Sequence, residues 1–279
     1  MLTIFALPRS FTGLFDIIQR NAIKSWTLLR PKCEVILFGN EEGVAEAAKD
    51  LGVLHVPEIK TNKYGTPLVN DFLNKARDRS IFEILVKLNP DIILMNDFIE
   101  AIQFIQKVRE QPFLMVGQRW DLDVREKTNF NEDNWDVKLR ERLKKEGKRH
   151  GLAGMDYSIF PKSFNFTMPP FSVGRCVDDG WMVYQARSRK IPVIDATNTV
   201  TIIHQNHYYP QKRKSFYKKE VEENIKLAGG LLRIMTLRDA DWVLTPSGLK
   251  KPPFIRMIFS KLSLFYPWRL LLAVKRKLK

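Results

Sequence analysis

Cysteine is nearly absent from this chain, with only Cys33 and Cys176 among 279 residues. Two cysteines build no disulfide framework, and neither has a CxxC or Cys/His neighbour of the zinc-site kind, so a reducing compartment fits best. No run of about 18 uncharged apolar residues occurs, which excludes a spanning helix. A basic leader is missing too: Met1 passes straight into LTIFAL before Pro8 and Arg9, which reads as a first strand rather than a signal peptide. FALPRSF carries no glycine-rich phosphate cradle, which argues against a P-loop and a dinucleotide fingerprint. Acid is missing from one end only. From Val243 to Lys279 there are nine Lys or Arg and no Asp or Glu, so a formal charge of +15 leaves about +6 for everything before it.

What is present is a core-forming composition, 44% hydrophobic, with alternating strand-like and helix-like segments. LTIFAL (2–7) reads as a strand and FDIIQRNAIKSWTLL (15–29) as a helix. EVILFG (34–39), a helix closed by Gly52, and VLHV (53–56) continue a βαβαβ pattern, the mark of a parallel sheet wrapped by helices. FEILVKL (82–88) is the fourth strand, FIEAIQFIQKVRE (98–110) a helix and FLMVGQ (113–118) a strand. Residues 121–150 read as a helical insertion over one sheet edge. DDGWMVYQARSRK is a helix, and PVIDAT and TVTIIHQNH are closing strands. The expected organisation is therefore an α/β domain over 1–210, a helical extension over 211–249 and a basic amphipathic tail over 250–279.

KLNPDIILMND (87–97) interrupts this pattern with Asn89 and Asp91 where an apolar strand ends. An unpaired buried carboxylate costs several kcal/mol, about 1–3 even when partly relaxed, so Asp91 is paired, bound to metal or at the surface. Ligands of open α/β sheets bind outside the carboxyl ends of strands, which makes this turn a site candidate. Arg119, Asp121, Asp123, Asp156, Asp178, Asp179, His204 and His207 stand out in the same way, after strands or at helix openings. Hard oxygen ligands with an imidazole suit Mn²⁺ or Mg²⁺ held against a diphosphate. Each also has a structural reading: Asp91, Asp178 and Asp179 as helix caps, His204 as a hydrogen-bonded core residue, and Arg119, Asp121 and Asp123 as surface ion pairs.

The ordered blocks FALPRSF, NAIKSW, VILFG, GTPLV, N-x-D-I-I-L, GQRWDLDV, GMDYSIFP, DDGWMVYQA and VIDAT…HQNHYY resemble a family of bacterial GT-A-fold glycosyltransferases over roughly residues 2–242. The resemblance implies a Rossmann-like, mostly parallel central sheet and a transferase that moves a sugar from a nucleotide-diphospho-sugar to a hydroxyl of a saccharide or lipid-linked acceptor. It implies Asp91 and His204 as metal ligands for Mn²⁺ or Mg²⁺, with Asn89 in place of a first acid. Donor contacts would come from Ala6, Leu7, Pro8, Asn89, Asp91 and His207. Asp179, with Asp178 beside it, takes the general-base position. Gly180 stands where that pattern has Asn, before Trp181, and Arg119, Asp121, Asp123, Asp156 and Trp181 fall to the acceptor or sugar.

The stretch PPFIRMIFSKLSLFYPWRLLLAVKRKLK joins aromatic and apolar residues to basic ones, a composition suited to an anionic membrane interface. A cytoplasmic, peripherally membrane-associated enzyme of cell-envelope or polysaccharide synthesis is the expectation. Nucleic-acid binding is disfavoured, because the charge is concentrated in an apolar tail and no RRM, KH or helix-turn-helix signature appears. A catalytically silent nucleotide-sugar binder is the remaining alternative.

Overall fold

The computed structural model describes residues 1–108, 112–209 and 215–254. Its centre is a nine-stranded sheet of order β13-β12-β10-β6-β9-β4-β1-β2-β3. The strands are β1 (Leu2–Ala6), β2 (Glu34–Phe38), β3 (Leu54–Val56), β4 (Ile84–Leu88), β6 (Leu114–Val116), β9 (Tyr157–Pro161), β10 (Val193–Asp195), β12 (Trp242–Thr245) and β13 (Gly248–Lys250). β9 runs antiparallel between β4 and β6, and β13 antiparallel to β12; the other pairings are parallel.

Strand alternation sets the two faces. Val35 and Leu37 of β2 enter one core with Trp26 of α1 (Leu14–Thr27), Ala47 of α2 (Val44–Leu51) and Phe98 of α4 (Asp97–Val108). Ile36 and Phe38 enter the other with Phe72 of α3 (Val69–Arg79) and Met182 of α6 (Asp178–Ser188). Both faces are covered, as nearly continuous apolar runs such as TIFA and VILF require. Burial of one such side chain contributes about 1.5–3 kcal/mol. In β4, Ile84, Val86 and Leu88 face the α1 side, so Lys87 is turned towards α6.

A second sheet, β5-β11-β7-β8, is built from β5 (Ile92–Leu94), β7 (Trp120–Leu122), β8 (Lys148–Arg149) and β11 (Ile202–Gln205). α5 (Trp135–Glu146) covers it through Leu139 and Leu143. The expected helical insertion over 121–150 thus contributes two short strands as well as its helix. The expected helical extension over 211–249 is corrected: after α7 (Tyr217–Leu227), β12 pairs parallel with β10 and completes the main sheet. Trp242 and Leu244 provide the reason, since each packs into the α1-side core. The α/β unit therefore runs past 210 to Lys250. Most of the tail at 250–279 lies outside the described residues, and no described helix is long and apolar enough to cross a membrane.

Candidate active site

Asn89, Pro90 and Asp91 form the turn between β4 and β5, which switches the chain from the large sheet to the small one. Ile92 N donates to Asn89 O at 3.3 Å, and Asn89 N donates to Asp156 O at 3.1 Å. β5 then pairs antiparallel with β11, setting Ile92 opposite His204, while parallel pairing of β11 with β7 sets His204 beside Asp121. The wholly buried Gln205 fixes the turn from behind, donating through Nε2 to Ile18 O at 2.7 Å and Asp91 O at 3.1 Å.

These pairings place Asp91 Oδ2 at 2.9 Å from His207 Nε2 and 3.7 Å from His204 Nε2. One ligand atom from each of the three residues lies within 4.8 Å of the others. Asp91 Oδ1 is buried and makes no hydrogen bond. Burial pushes the Asp91 carboxyl up, but His204, His207 and Arg119 outweigh it and hold the group below the usual carboxylate range. His204 is drawn the other way: burial lowers it, while Asp91 and Asp121 raise it above an ordinary imidazole. A carboxylate with an unused buried oxygen beside two imidazoles is a donor set that fits a divalent cation of the Mn²⁺ kind.

A charged chain extends from this cluster. His204 Nδ1 lies 3.2 Å from Asp121 Oδ1, and Asp121 also takes His150 Nδ1 at 2.7 Å and Arg119 Nε at 2.8 Å. Burial would raise the Asp121 carboxyl, and its two histidines with Arg119 depress it strongly instead. Arg119 reaches on to Asp156 Oδ2 at 2.9 Å and the Tyr209 hydroxyl at 3.3 Å. Asn89 Nδ2 donates to Asp156 Oδ1 at 2.6 Å. Asn89 thus joins the network as a donor to a carboxylate, which an acid at that position could not do without being protonated.

Two aspartates open α6, and Lys87 lies between them with Nζ at 2.6 Å from Asp178 Oδ2 and 2.7 Å from Asp179 Oδ1. Asp179 is the more exposed, with 28% of its side chain accessible against 10% for Asp178. Burial and the adjacent Asp178 push Asp179 up to about 7, against the pull of Lys87. Gly180 follows because the chain at 234–235 crosses here. A Cβ on it would meet Met235 O at 2.6 Å and Ile234 Cγ2 at 2.7 Å, and Met235 N donates to Gly180 O at 2.9 Å.

Asn89, Asp91, Arg119, Asp121, Asp156, His204 and His207 therefore meet in one connected cluster, and Asp179, held with Asp178 by Lys87, is close enough for the charge of Asp156 to act on it. Ala6 and Pro8 are buried at the carboxyl end of β1 and Leu7 is half-buried. Two expected acceptor residues lie elsewhere. Asp123 is an exposed surface residue paired with Arg125 at 3.0 Å, turned away because its neighbours Leu122 and Val124 take the inward positions. Trp181 is a core residue, 5.6 Å from the ring centre of Phe171 and 6.1 Å from that of Phe166. Sequence reasoning missed Lys87, His150 and Tyr209. The signal for Lys87 was its period-two relation to Asn89 in an otherwise apolar strand.

The fold is of the GT-A type, a mixed and mostly parallel sheet flanked by helices, with the Asp91 cluster at its strand ends. No family model matches the sequence, and no curated protein matches it. Among solved structures, the chain is similar to glucosyl-3-phosphoglycerate synthase from Mycobacterium tuberculosis in complex with Mg²⁺ and uridine diphosphate. That similarity has a TM-score of 0.50 at 12% identity and covers 82% of this chain and 80% of that one. It is also similar to S. aureus TarS in complex with UDP-GlcNAc, at TM-score 0.50 and 11% identity over 81% of this chain and 65% of that one.

Proposed function

We propose that this protein is a metal-assisted glycosyltransferase acting on a nucleotide-diphospho-sugar donor and a hydroxyl acceptor. The observation that carries the reading is the Asp91, His204 and His207 cluster, with its unused carboxylate oxygen, at the strand ends of a GT-A fold. The structural neighbours were solved with uridine diphosphate and Mg²⁺, or with UDP-GlcNAc, which supports a donor of this chemical class. When bound, a divalent cation neutralises charge developing on the departing diphosphate.

The chain's own residues supply the rest. Asp91, His204 and His207 hold the ion. The Asn89, Asp156 and Arg119 network fixes the turn on which Asp91 sits and offers polar groups to sugar hydroxyls. Asp179, poised near neutrality at the opening of α6, accepts the acceptor hydroxyl's proton, a role typically contributing on the order of 10²–10⁴-fold. Lys87 holds the carboxylates of Asp178 and Asp179 in place. A single base on the acceptor side supports direct displacement with inversion as the simplest course. The basic apolar stretch 250–279 supports an acceptor at an anionic membrane in cell-envelope synthesis; sedimentation with anionic liposomes, with and without that stretch, tests it.

The decisive experiment measures nucleotide release from a panel of UDP-, GDP- and dTDP-sugars with Mn²⁺ or Mg²⁺. Release by the wild type that is lost in both Asp91→Asn and Asp179→Asn supports the assignment. Donor binding with no turnover on any acceptor offered, unchanged in Asp179→Asn, would leave a silent nucleotide-sugar binder instead.

A further inference from the structure

Arg9 follows Pro8 at the carboxyl end of β1, and its backbone is clamped by the buried side chain of Gln19 in α1. Arg9 N donates to Gln19 Oε1 at 2.8 Å, and Gln19 Nε2 donates to Arg9 O at 3.0 Å. The guanidinium is treated differently. It is half-buried, yet among the described residues it has no hydrogen bond or ion pair. It lies 5.6 Å from the ring centre of Phe15, and that ring meets His207 at 5.1 Å and Tyr208 at 5.4 Å. One phenyl ring thus touches both the guanidinium and the imidazole that contacts Asp91.

The other cations around the cluster are engaged. Arg119 is shared by Asp121 and Asp156, Arg175 is held by Glu220 at 2.6 Å, and Lys87 by Asp178 and Asp179. Burial pulls the Arg9 pKa down, and the largest opposing influence is the charge of Asp91. A guanidinium stays charged under such conditions and presents five N–H donors in a fixed fork. Donors partly withdrawn from water without an acceptor in the chain carry a cost that an arriving anion would relieve.

We propose that Arg9 is a specificity-determining contact for the diphosphate of the donor, its fork gripping phosphate oxygens while the Asp91 cluster holds the metal. Gln19 fixes the loop so that the grip is preorganised, and Phe15 packs against both the guanidinium and His207. The inference rests on the donor-site reading above and adds to it the residue that selects a diphosphate over a monophosphate.

The test is calorimetric titration of the full chain with UDP, GDP, ADP and dTDP, and with the corresponding monophosphates, in the presence of Mn²⁺. Arg9→Gln should weaken binding of the accepted diphosphate by about 10–100-fold, the range of charge-assisted hydrogen bonds, and weaken the monophosphate less. Arg9→Lys should recover part of that loss by keeping the charge without the fork. The melting temperature without nucleotide should fall by no more than a few degrees in either variant, because the only contact of the guanidinium among the described residues is the one over the Phe15 ring. Diphosphate affinity in Arg9→Gln within about twofold of wild type overturns the proposal, as does an equal loss for mono- and diphosphate. A larger fall in unliganded melting temperature in both variants, tracking the loss of affinity, also overturns it by marking Arg9 as structural. Failure of the wild type to bind any of these nucleotides sinks the donor-site reading first, a result separable from a defect confined to Arg9.

Discussion

Replacing Lys87 by Met removes the only cation that touches Asp178 and Asp179 among the described residues, while keeping the length and apolar stem of the side chain. Lys87 and Asp178 are each 10% exposed and Asp179 28%, so the two carboxylates would be left facing one another largely out of water. Two charge-assisted bonds at 2.6 and 2.7 Å are lost, each worth about 1.5–3 kcal/mol. Breaking a buried pair costs about 3–5 kcal/mol, which agrees. For a chain of this size that corresponds to a drop of roughly 6–20 °C in melting temperature.

The defect should also depend on pH. Asp179 is raised in the folded state, so it binds its proton more tightly than the unfolded chain does. Its contribution to stability is fully present below about pH 4 and is lost as pH rises through about 7. Without Lys87 the Asp179 carboxyl rises further, and more stability is lost over the same interval. Lys87's own raised pKa contributes below about 10.5 and is constant across this window. Urea unfolding at pH 5 and pH 8 should therefore show a gap between variant and wild type that widens at pH 8. An equal gap at both pH values, or a variant as stable as wild type at pH 8, would refute the reasoning.

Three further outcomes follow from the same geometry. Asp91→Asn should abolish saturable Mn²⁺ binding, read by electron paramagnetic resonance of the free ion, because it removes the only carboxylate of the Asp91, His204 and His207 set. Gly180→Ala should destabilise the fold by about 1–3 kcal/mol in urea unfolding, since its Cβ would meet Met235 O at 2.6 Å. Glu220→Gln should cost about 3–5 kcal/mol, because Glu220 is wholly buried and holds Arg175 and Asn62; a double-mutant cycle with Arg175→Met should show strong coupling.

Much of the architecture was legible because its strands are short apolar runs with turn residues at their ends. LTIFA, EVILF and EILVKL announce themselves, and the location of Asn89 and Asp91 follows from where the last of these stops. β12 and β13 were not legible: four and three residues carry too little periodicity, and their identity as strands comes from pairing, β12 with β10 and β13 with β12. Asp121 and His204 could be named but not joined, since a register between strands far apart in sequence is set by packing. Asp123 and Trp181 were misplaced for one reason. A charged residue beside a site residue and an aromatic one beside a catalytic acid look functional in a string, and only strand alternation and helix facing decide which way each points. Gly180 reads as a departure in sequence and as a necessity once residues 234–235 cross above it.

Gln205 has a consequence for how this molecule comes into being. Its amide spans from the Ile18 carbonyl to the Asp91 carbonyl, and its Oε1 accepts from Asn21, so the first helix, the metal turn and a late strand close on one side chain. During synthesis, β1, α1 and the Asp91 turn leave the ribosome well before the strand that carries Gln205 and His204. Until that strand inserts, the carboxylate has no imidazoles and the turn has no backing. With Mn²⁺ held at the proposed site, an ion-dependent signal would count finished molecules, and a truncated or stalled chain would be silent however well its first half has folded.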